Sequence, residues 1–204
     1  MGSLTQFQRS VIIGSILGDG YLRTFPGRKN ALLEINHSFK QKEYVDWKYN
    51  ILANISASPP KVRNSNGKRI AYRFYSKQLP ELTRFHELFY GSGKKSISEH
   101  IVIDPVILAI WYMDDGSRCS DSDYYLNTQQ YNIEDQYRLI NKLGNLGLKT
   151  NINKDKTYWR LRFLTLSLQK LKKIISPYII PSMYYKLGYN PLETKAIQPK
   201  VVLF

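Results

Sequence analysis

The sequence predicts an α+β fold built from two similar halves, each with the order helix–strand–strand–helix–strand–strand–helix. Three observations support this prediction. The segment IIGSILGDG at 12–20 aligns without gaps with LAIWYMDDG at 108–116. The elements predicted after each segment occur in the same order, and each half contains a strand in which apolar and basic side chains alternate. Internal similarity of this kind indicates a repeated structural unit.

In the first half, the apolar helix is followed by a strand at LLEINHSF and a helix at KEYVDWKYNILANI. A hairpin is expected around Asn66-Gly67, since this dipeptide favours two-residue turns. The helix LPELTRFHELF then leads to GKKSI. The strand RIAYRFYS should bury one face and display the other: the expected apolar face carries Ile70, Tyr72 and Phe74, and the opposite face carries Arg69, Ala71, Arg73 and Tyr75.

The second half repeats the order with YYLNTQQY, IEDQYRLINKLGNLGL, TYWRLRFL and LSLQKLKKIISPYI. In TYWRLRFL, the side chains expected against the helices are Trp159, Leu161 and Phe163, and those expected on the other face are Tyr158, Arg160 and Arg162. The strand that directly follows each apolar segment is the least clearly marked element in both halves. The arginine-bearing faces fit a nucleic-acid surface better than a merely solvated sheet, because they recur in matching positions of a basic chain.

The second apolar helix has clear boundaries. Asp104 can cap its N-terminus and Pro105 suits its first turn. The run Val106–Met113 is nearly all apolar, and the helix should end at Asp114-Asp115-Gly116, as the first ends at Gly18-Asp19-Gly20. Glycine commonly terminates helices.

The acids at these helix ends need an explanation. A helix C-terminus carries partial negative charge, which disfavours a carboxylate there by about 0.3–1 kcal/mol. A single Asp-Gly is usually a turn, but the chain places Asp19 and Asp115 in equivalent positions. If the two helices pack in parallel, these carboxylates approach each other and repel unless a cation lies between them. Mg²⁺ prefers oxygen ligands and also binds phosphate oxygens, so the pattern predicts a magnesium site against a nucleic-acid backbone.

Composition supports a polyanionic partner. The 204 residues carry a formal net charge of +14, with a pI near 9.7, and are 43% hydrophobic. No apolar run is long enough to span a bilayer, so no membrane partner is expected. Cys119 is the only cysteine, which excludes an intramolecular disulfide and thiolate zinc sites and fits a reducing, intracellular compartment.

The segments IIGSILGDG and LAIWYMDDG resemble the two copies of the LAGLIDADG motif, and LNTQ, KKSI and YYKL also fit that family. From about Thr5 to Leu187 the chain resembles a monomeric, two-motif LAGLIDADG homing endonuclease. The resemblance implies αββαββα halves at 5–97 and 104–190 with a C-terminal tail at 191–204. It also implies motif helices at a central interface and two antiparallel four-stranded sheets that form a DNA-binding saddle.

The resemblance also implies the active-site residues. Asp19 and Asp115 would be the catalytic metal ligands, with the carbonyls of Gly18 and Asp114 as further ligands. Basic and water-orienting roles would fall to Lys95, Lys186, Gln129 and, on the matching strand, His37. The expected cofactor is Mg²⁺, with Mn²⁺ substituting and Ca²⁺ binding without cleavage. Because Ile110 and Asp114 stand where the first motif has glycines, the two helices should pack asymmetrically.

The expected partner is a long, non-palindromic double-stranded DNA site, cut by a monomer to leave 5′-phosphates and short 3′ overhangs. Four arginines are candidate guanine readers or phosphate clamps: Arg69, Arg73, Arg160 and Arg162. Candidate phosphate contacts near hairpin tips are Lys61, Arg63, Lys68, Lys154 and Lys156. Further candidate DNA contacts are Arg23, Arg28, Lys29, His37, Arg118, Asn127 and Gln129.

Three other functions remain open. An RNA maturase could use the same basic surface on intron RNA, and a DNA-binding regulator could have lost catalysis. An intein-embedded nuclease is disfavoured because no splicing blocks are visible. The retained acid pair favours cleavage over the first two. The family's usual compartments are mitochondria or chloroplasts in eukaryotes and the cytoplasm in microbes.

Overall fold

The structure, a computed structural model, describes residues 4–64 and 70–189. The predicted element order is confirmed in both halves. The first half contains α1 (Gln6–Leu17), β1 (Tyr21–Arg23), β2 (Leu32–Ser38), α2 (Lys42–Leu52), β3 (Lys61–Asn64), β4 (Ile70–Tyr75) and α3 (Pro80–Tyr90). The second contains α4 (Pro105–Asp115), β5 (Gly116–Arg118), β6 (Tyr124–Leu126), α5 (Ile133–Asn145), β7 (Thr150–Asp155), β8 (Tyr158–Phe163) and α6 (Leu168–Ile175), and a 3₁₀ segment covers Pro181–Leu187.

Each half forms one antiparallel four-stranded sheet, so the predicted α+β fold class is confirmed. The strand orders are β1-β2-β4-β3 and β5-β6-β8-β7. The strands that follow the apolar helices, β1 and β5, are only three residues long, which explains their weak sequence signal. None of the helices in the described ranges is long and apolar enough to cross a membrane.

The alternation in β4 and β8 is correct near the helices and wrong at the outer strand ends. Phe74, Leu161 and Phe163 are buried as predicted, but Ile70 is 46% exposed and Trp159 is 42% exposed. Both exceptions lie at the hairpin ends of their strands, and strand alternation cannot show how far along a sheet its covering helices reach. The predicted Asn66-Gly67 turn and the candidates Lys68 and Arg69 lie outside the described residues.

The central helices α1 and α4 pack in parallel and very closely. Near their starts, the Ser10 hydroxyl donates a 2.6 Å hydrogen bond to Asp104, which also caps α4. A Cβ atom added to Gly14 would lie 2.6 Å from the Ile110 Cβ and 2.7 Å from the Ile107 carbonyl oxygen. At the helix ends, a Cβ atom on Gly18 would lie 2.4 Å from the Asp114 Cβ. Glycines on α1 therefore receive larger side chains from α4, and the predicted asymmetry is confirmed.

The glycines at the helix ends are required by lack of space, against α4 at Gly18 and against Tyr112 of the same helix at Gly116, and not by a left-handed turn. Gly18 has φ −96° and ψ −125°, and Gly116 has φ −69° and ψ 142°, so neither adopts the positive φ of a typical glycine terminator. Space is limiting at Gly116 as well, since an added Cβ would lie 2.3 Å from the Tyr112 carbonyl oxygen. The sequence correctly located the ends but suggested the wrong reason for them.

The segment between the halves is fixed to α5. Its Ile97 amide donates to the Asp135 carboxylate at 3.0 Å, and the Lys142 ammonium donates to the carbonyls of Glu99 and Ile101 at 2.9 and 2.8 Å. These contacts hold the segment that follows Lys95 against α5.

Replacing Gly14 by alanine should destabilise the protein by about 1–3 kcal/mol, because the new methyl group would push against the α4 backbone. Gly144 in α5 is a matched control, because a Cβ there meets no atom within 4 Å, so Gly144→Ala should be neutral or stabilising by up to about 1 kcal/mol. Urea unfolding of both variants measures the two changes. Equal stability of Gly14→Ala and wild type would contradict the close contact.

Candidate active site

The two repeated acids lie at the adjacent C-termini of α1 and α4 and line one open cleft. The cleft contains residues from both halves: Gly18, Asp19, Gly20, Tyr21, Tyr90, Gly93, Lys94, Lys95, Asp115, Asn127, Gln129 and Gln130. The structure therefore brings Asp19, Asp115, Lys95 and Gln129 together, as the sequence predicted.

The two acids have different environments. Burial, followed by the charges of Asp19 and Asp114, raises the pKa of Asp115 to about 8. The pKa of Asp19 is instead lowered, chiefly because the His37 Nδ1 lies 3.4 Å from its Oδ2 atom. The Asp19 side chain also keeps 48% of its surface exposed. One carboxyl group of the pair therefore resists ionisation. A cation bound between the two groups would favour the ionised form of both.

The two predicted lysines occupy equivalent positions. Lys95 donates to the Gly18 carbonyl at 3.1 Å, and Lys186 donates to the Asp114 carbonyl at 2.8 Å. Each lysine thus contacts the residue that precedes a candidate metal ligand. Burial lowers the pKa of Lys95 to about 8 and also lowers the pKa of Lys186. The carbonyls expected to be further metal ligands are therefore the hydrogen-bond acceptors of these ammonium groups.

The glutamine nearest to the acids is Gln130, which the sequence analysis did not single out. Its side chain accepts from Lys95 at 3.1 Å and donates to the Leu17 carbonyl at 3.2 Å, and its Nε2 lies 3.5 Å from Asp115 Oδ2. The predicted Gln129 lines the same cleft. Both stand in QQ, and the sequence carries no signal that separates them. Tyr131 donates to the same Leu17 carbonyl and holds this loop against α1.

A second group that the sequence analysis missed lies below the cleft. Lys48 of α2 is fully buried and contacts the Asp114 carboxylate at 2.8 and 3.1 Å. Its ammonium also lies 3.4 Å from the Nε2 of His37. A signal was available, because Lys48 falls in the apolar stripe of its helix with Tyr44, Val45 and Leu52.

His37 lies on the helix-facing side of its sheet. It pairs with Tyr72, whose hydroxyl donates to Asp46 of α2, and it is only 1% exposed. This placement supports a role behind Asp19 and does not support the predicted direct contact with DNA.

Two arginines of the first sheet share one acidic partner. Glu34 on β2 lies 2.5 Å from Arg23 and 3.6 Å from Arg73, and it is 5% exposed. Register places Glu34 opposite Tyr21 and Tyr75, on the face away from the helices. Two arginines are therefore held in defined positions on the open face of this sheet.

The arginines of the second sheet are held in a similar way. Arg162 contacts Asp123 at 2.6 Å, and Arg160 lies 3.5 Å from Asp155 and stacks over the Tyr125 ring at 3.9 Å. Arg118 differs, because register places it beside Tyr124 on the helix-facing side, where it pairs with Asp121. That placement does not support the predicted DNA contact of Arg118.

The remaining candidates follow two patterns. Asn127 donates its backbone amide to the Asp115 carbonyl and lines the cleft. The other basic candidates are exposed residues of loops and edge strands that do not line the cleft, and they are free to contact phosphates: Arg28, Lys29, Lys61, Arg63, Lys154 and Lys156.

The donor set suits a hard divalent cation. Asp19 and Asp115 offer carboxylate oxygens on the open side of the cleft, with room for water and phosphate oxygens. The Asp114 carboxylate is turned inward to Lys48, so its side chain does not join them.

Comparison with known proteins shows similarity over nearly the whole chain. The model of the LAGLIDADG DNA endonuclease family matches residues 9–171. The Protein RecA of Mycobacterium gastri is 35% identical over 90% of this chain and 48% of that protein, and the cytochrome b mRNA maturase bI2 of Saccharomyces cerevisiae is 30% identical over 92% and 49%. The chain spans about half the length of these relatives. The probable intron-encoded endonuclease 1 of Wickerhamomyces canadensis is 28% identical over 92% of this chain and 87% of that protein.

Comparison with solved structures shows the same similarity at the level of the fold. The homing endonuclease I-WcaI bound to its DNA recognition sequence superposes with a TM-score of 0.85 at 27% identity, covering 93% of this chain and 89% of that chain. I-DmoI in complex with DNA and Ca shares the fold, with a TM-score of 0.59 at 14% identity over 92% and 100%. The matching family model, which covers most of the chain, and the shared fold show that this chain belongs to the LAGLIDADG DNA endonuclease family.

Proposed function

We propose that the protein is a site-specific endonuclease that makes a double-strand break in DNA. The observation that carries the proposal is the pair of acids at the ends of two parallel helices, in one cleft between two sheets with arginine-bearing faces. The similarity to I-WcaI, which was solved bound to its DNA recognition sequence, supports it.

Asp19 and Asp115 would hold Mg²⁺, and Mn²⁺ would substitute for it. Held there, a divalent cation would supply Lewis-acid activation of the attacking water and stabilisation of the leaving 3′ oxygen. Lys95 and Lys186 lie beside the two acids, one from each half, and their ammonium groups would stabilise charge that develops on the phosphate. Gln130 and Gln129, which line the cleft, would orient water at the Asp115 side. We expect Ca²⁺ to bind without supporting cleavage.

One chain supplies both acids, so a monomer is sufficient for two cuts. We propose 5′-phosphates and short 3′ overhangs as products. Because the halves present different side chains, the target should be long and not a perfect palindrome. Arg23, Arg73, Arg160 and Arg162 would read bases, since their acidic partners fix the guanidinium groups before DNA binds.

RNA splicing assistance is the second candidate. The cytochrome b mRNA maturase of S. cerevisiae is 30% identical over 92% of this chain. A basic sheet surface would suit RNA as well as DNA, and intron RNA would then be the partner. That activity does not need the paired acids, which is why cleavage is the leading proposal.

The variants Asp19→Asn and Asp115→Asn should each reduce double-strand cleavage by at least about 100-fold while DNA binding persists. The test is selection of cut sites from a randomised or intron-junction DNA library, in Mg²⁺ and in Ca²⁺. Asp121→Asn is a control at a 95% exposed carboxylate outside the cleft. Binding without cutting by wild type would indicate a regulator, and absence of enriched DNA would favour the maturase.

Metal binding should release protons near neutral pH. The pKa of Asp115 is about 8 in the metal-free fold against 3.8 for an ordinary aspartate, so its carboxyl is largely protonated at pH 7. Apparent Ca²⁺ affinity should therefore rise with pH up to about 8. Calorimetry in two buffers of different ionisation enthalpy measures the released protons. Asp115→Asn should abolish the release, and Lys95→Met controls for the other group whose pKa is about 8.

The raised pKa of Asp115 also predicts how the stability of the metal-free protein depends on pH. Because the folded pKa of Asp115 is raised, its contribution is complete below pH 3.8 and is lost as pH rises to about 8. Between pH 3.8 and about 8, the free energy of unfolding of the wild type should therefore fall as pH rises. The Asp115→Asn variant should lack this contribution to the fall. Urea unfolding across this range measures it, and identical slopes for both proteins would contradict the assignment.

Glu34→Gln should relax base preference in one half of the target without loss of overall affinity. The substitution removes the charge that orients Arg23 and Arg73, and correct bidentate arginine contacts contribute about 1–3 kcal/mol of discrimination. Cleavage selection would show the loss at bases under the first sheet. Asp155→Asn, which removes the ion pair of Arg160, should relax base preference in the opposite half of the target. Unchanged preference in both variants would refute base reading by these arginines.

A further inference from the structure

A cluster with the donor set of a metal site lies just beneath Asp19. Ligand atoms of Asp19, His37 and Asp114 lie within 4.8 Å of one another. Asp114 comes from α4, at the position where the first motif has Gly18, and His37 comes from the centre of the first sheet. By chemistry alone, one imidazole and two carboxylates could bind a divalent cation.

A protein cation already lies inside this cluster. The Lys48 ammonium is 2.8 and 3.1 Å from the two oxygens of Asp114, 3.4 Å from the Nε2 of His37 and 4.3 Å from the Tyr44 ring centroid. Lys48 and the side chain of Asp114 are fully buried, and His37 is 1% exposed. An ammonium group surrounded in this way satisfies the carboxylate without water.

The contact reaches the candidate active site through two links. The Asp114 Oδ2 atom accepts a 3.3 Å hydrogen bond from the backbone amide of Asp19, and the other side of His37 faces the Asp19 carboxylate. Lys48 therefore holds both groups that support Asp19.

The other half lacks this arrangement. Residues of the β2–α2 stretch correspond to residues of the β6–α5 stretch 91 positions later in the chain. The register shows this offset, because Glu34 and Tyr125 pair with equivalent residues of β1 and β5. Thr128 and the buried Leu139 then correspond to His37 and Lys48, and Gly18 corresponds to Asp114. The symmetry-related side of the helix pair therefore has no such cluster, so repeat symmetry does not explain it.

We propose that Lys48 is the resident cation of this inner cluster and excludes divalent metal from it. Divalent cations are thereby confined to the open side, at Asp19 and Asp115, while Lys48 positions Asp19 through Asp114 and His37. The statement about the open side rests on the proposed function, and the statement about the inner cluster does not.

The test counts bound ions in the absence of DNA. Mn²⁺ and Ca²⁺ binding are measured by calorimetry on the full chain, with melting temperature recorded against Ca²⁺ concentration. Lys48→Met should bind one more equivalent than wild type, because Asp114 and His37 become free to coordinate, and Ca²⁺ should raise its melting temperature more than that of wild type. Lys142→Met is a matched control, since it removes another buried lysine that contacts only backbone carbonyls.

The double variant Lys48→Met/Asp114→Asn removes both charges and keeps the test decisive if Lys48→Met alone fails to fold. Its ion stoichiometry should equal that of wild type. Loss of an equivalent in the double variant would show that wild type already binds metal in the cluster, which overturns the proposal. A folded Lys48→Met that gains no ion also overturns it. Failure of wild type to bind any divalent ion would refute the proposed metal function, while a gain in Lys48→Met would still support the inner cluster.

Discussion

The contact between α1 and α4 is the constraint on which the rest of the structure depends. Glycines at positions 14 and 18 remove the side chains that would hold the helices apart, and Ile110 and Asp114 fill the space. Parallel packing at this distance brings both C-termini, with their partial negative charges, to one point. The sheets extend from these ends through β1 and β5, so the same contact sets the position of each sheet relative to the acids.

Convergence of helix ends and carboxylates creates an excess of negative charge that the fold balances with positive groups. Lys95 and Lys186 contact the last carbonyls beside the acids, and Lys48 neutralises Asp114 in the interior. Even beside Lys95 and Lys186, burial and then the charges of Asp19 and Asp114 raise the pKa of Asp115, so these carboxylates are not fully compensated. The remaining imbalance lies at the open side of the cleft, where a phosphate backbone and a divalent cation can reach it.

Much of this could be predicted from the sequence because it depends on local pattern and repetition. The apolar helices, the Asp-Gly ends, the strand alternation and the order of elements all lie within short segments. What could not be predicted depends on pairs distant in sequence or on side-chain direction. Lys48 meets Asp114 across 66 positions, and only the fold distinguishes Gln130 from Gln129. The face of Arg118 follows from the register of β5, a three-residue strand with little sequence signal, and that of His37 from its place opposite Tyr72.

The pairing of Lys48 with Asp114 also bears on how the two halves relate to each other. The lysine belongs to the first half and the aspartate to the second. A homodimer of first halves would bring two buried lysines to an interface with glycine on both sides. A homodimer of second halves would oppose two aspartates with no lysine between them. Each half therefore supplies a charge that a buried group of the other half requires, so the two halves are complementary parts of one fold and not interchangeable copies.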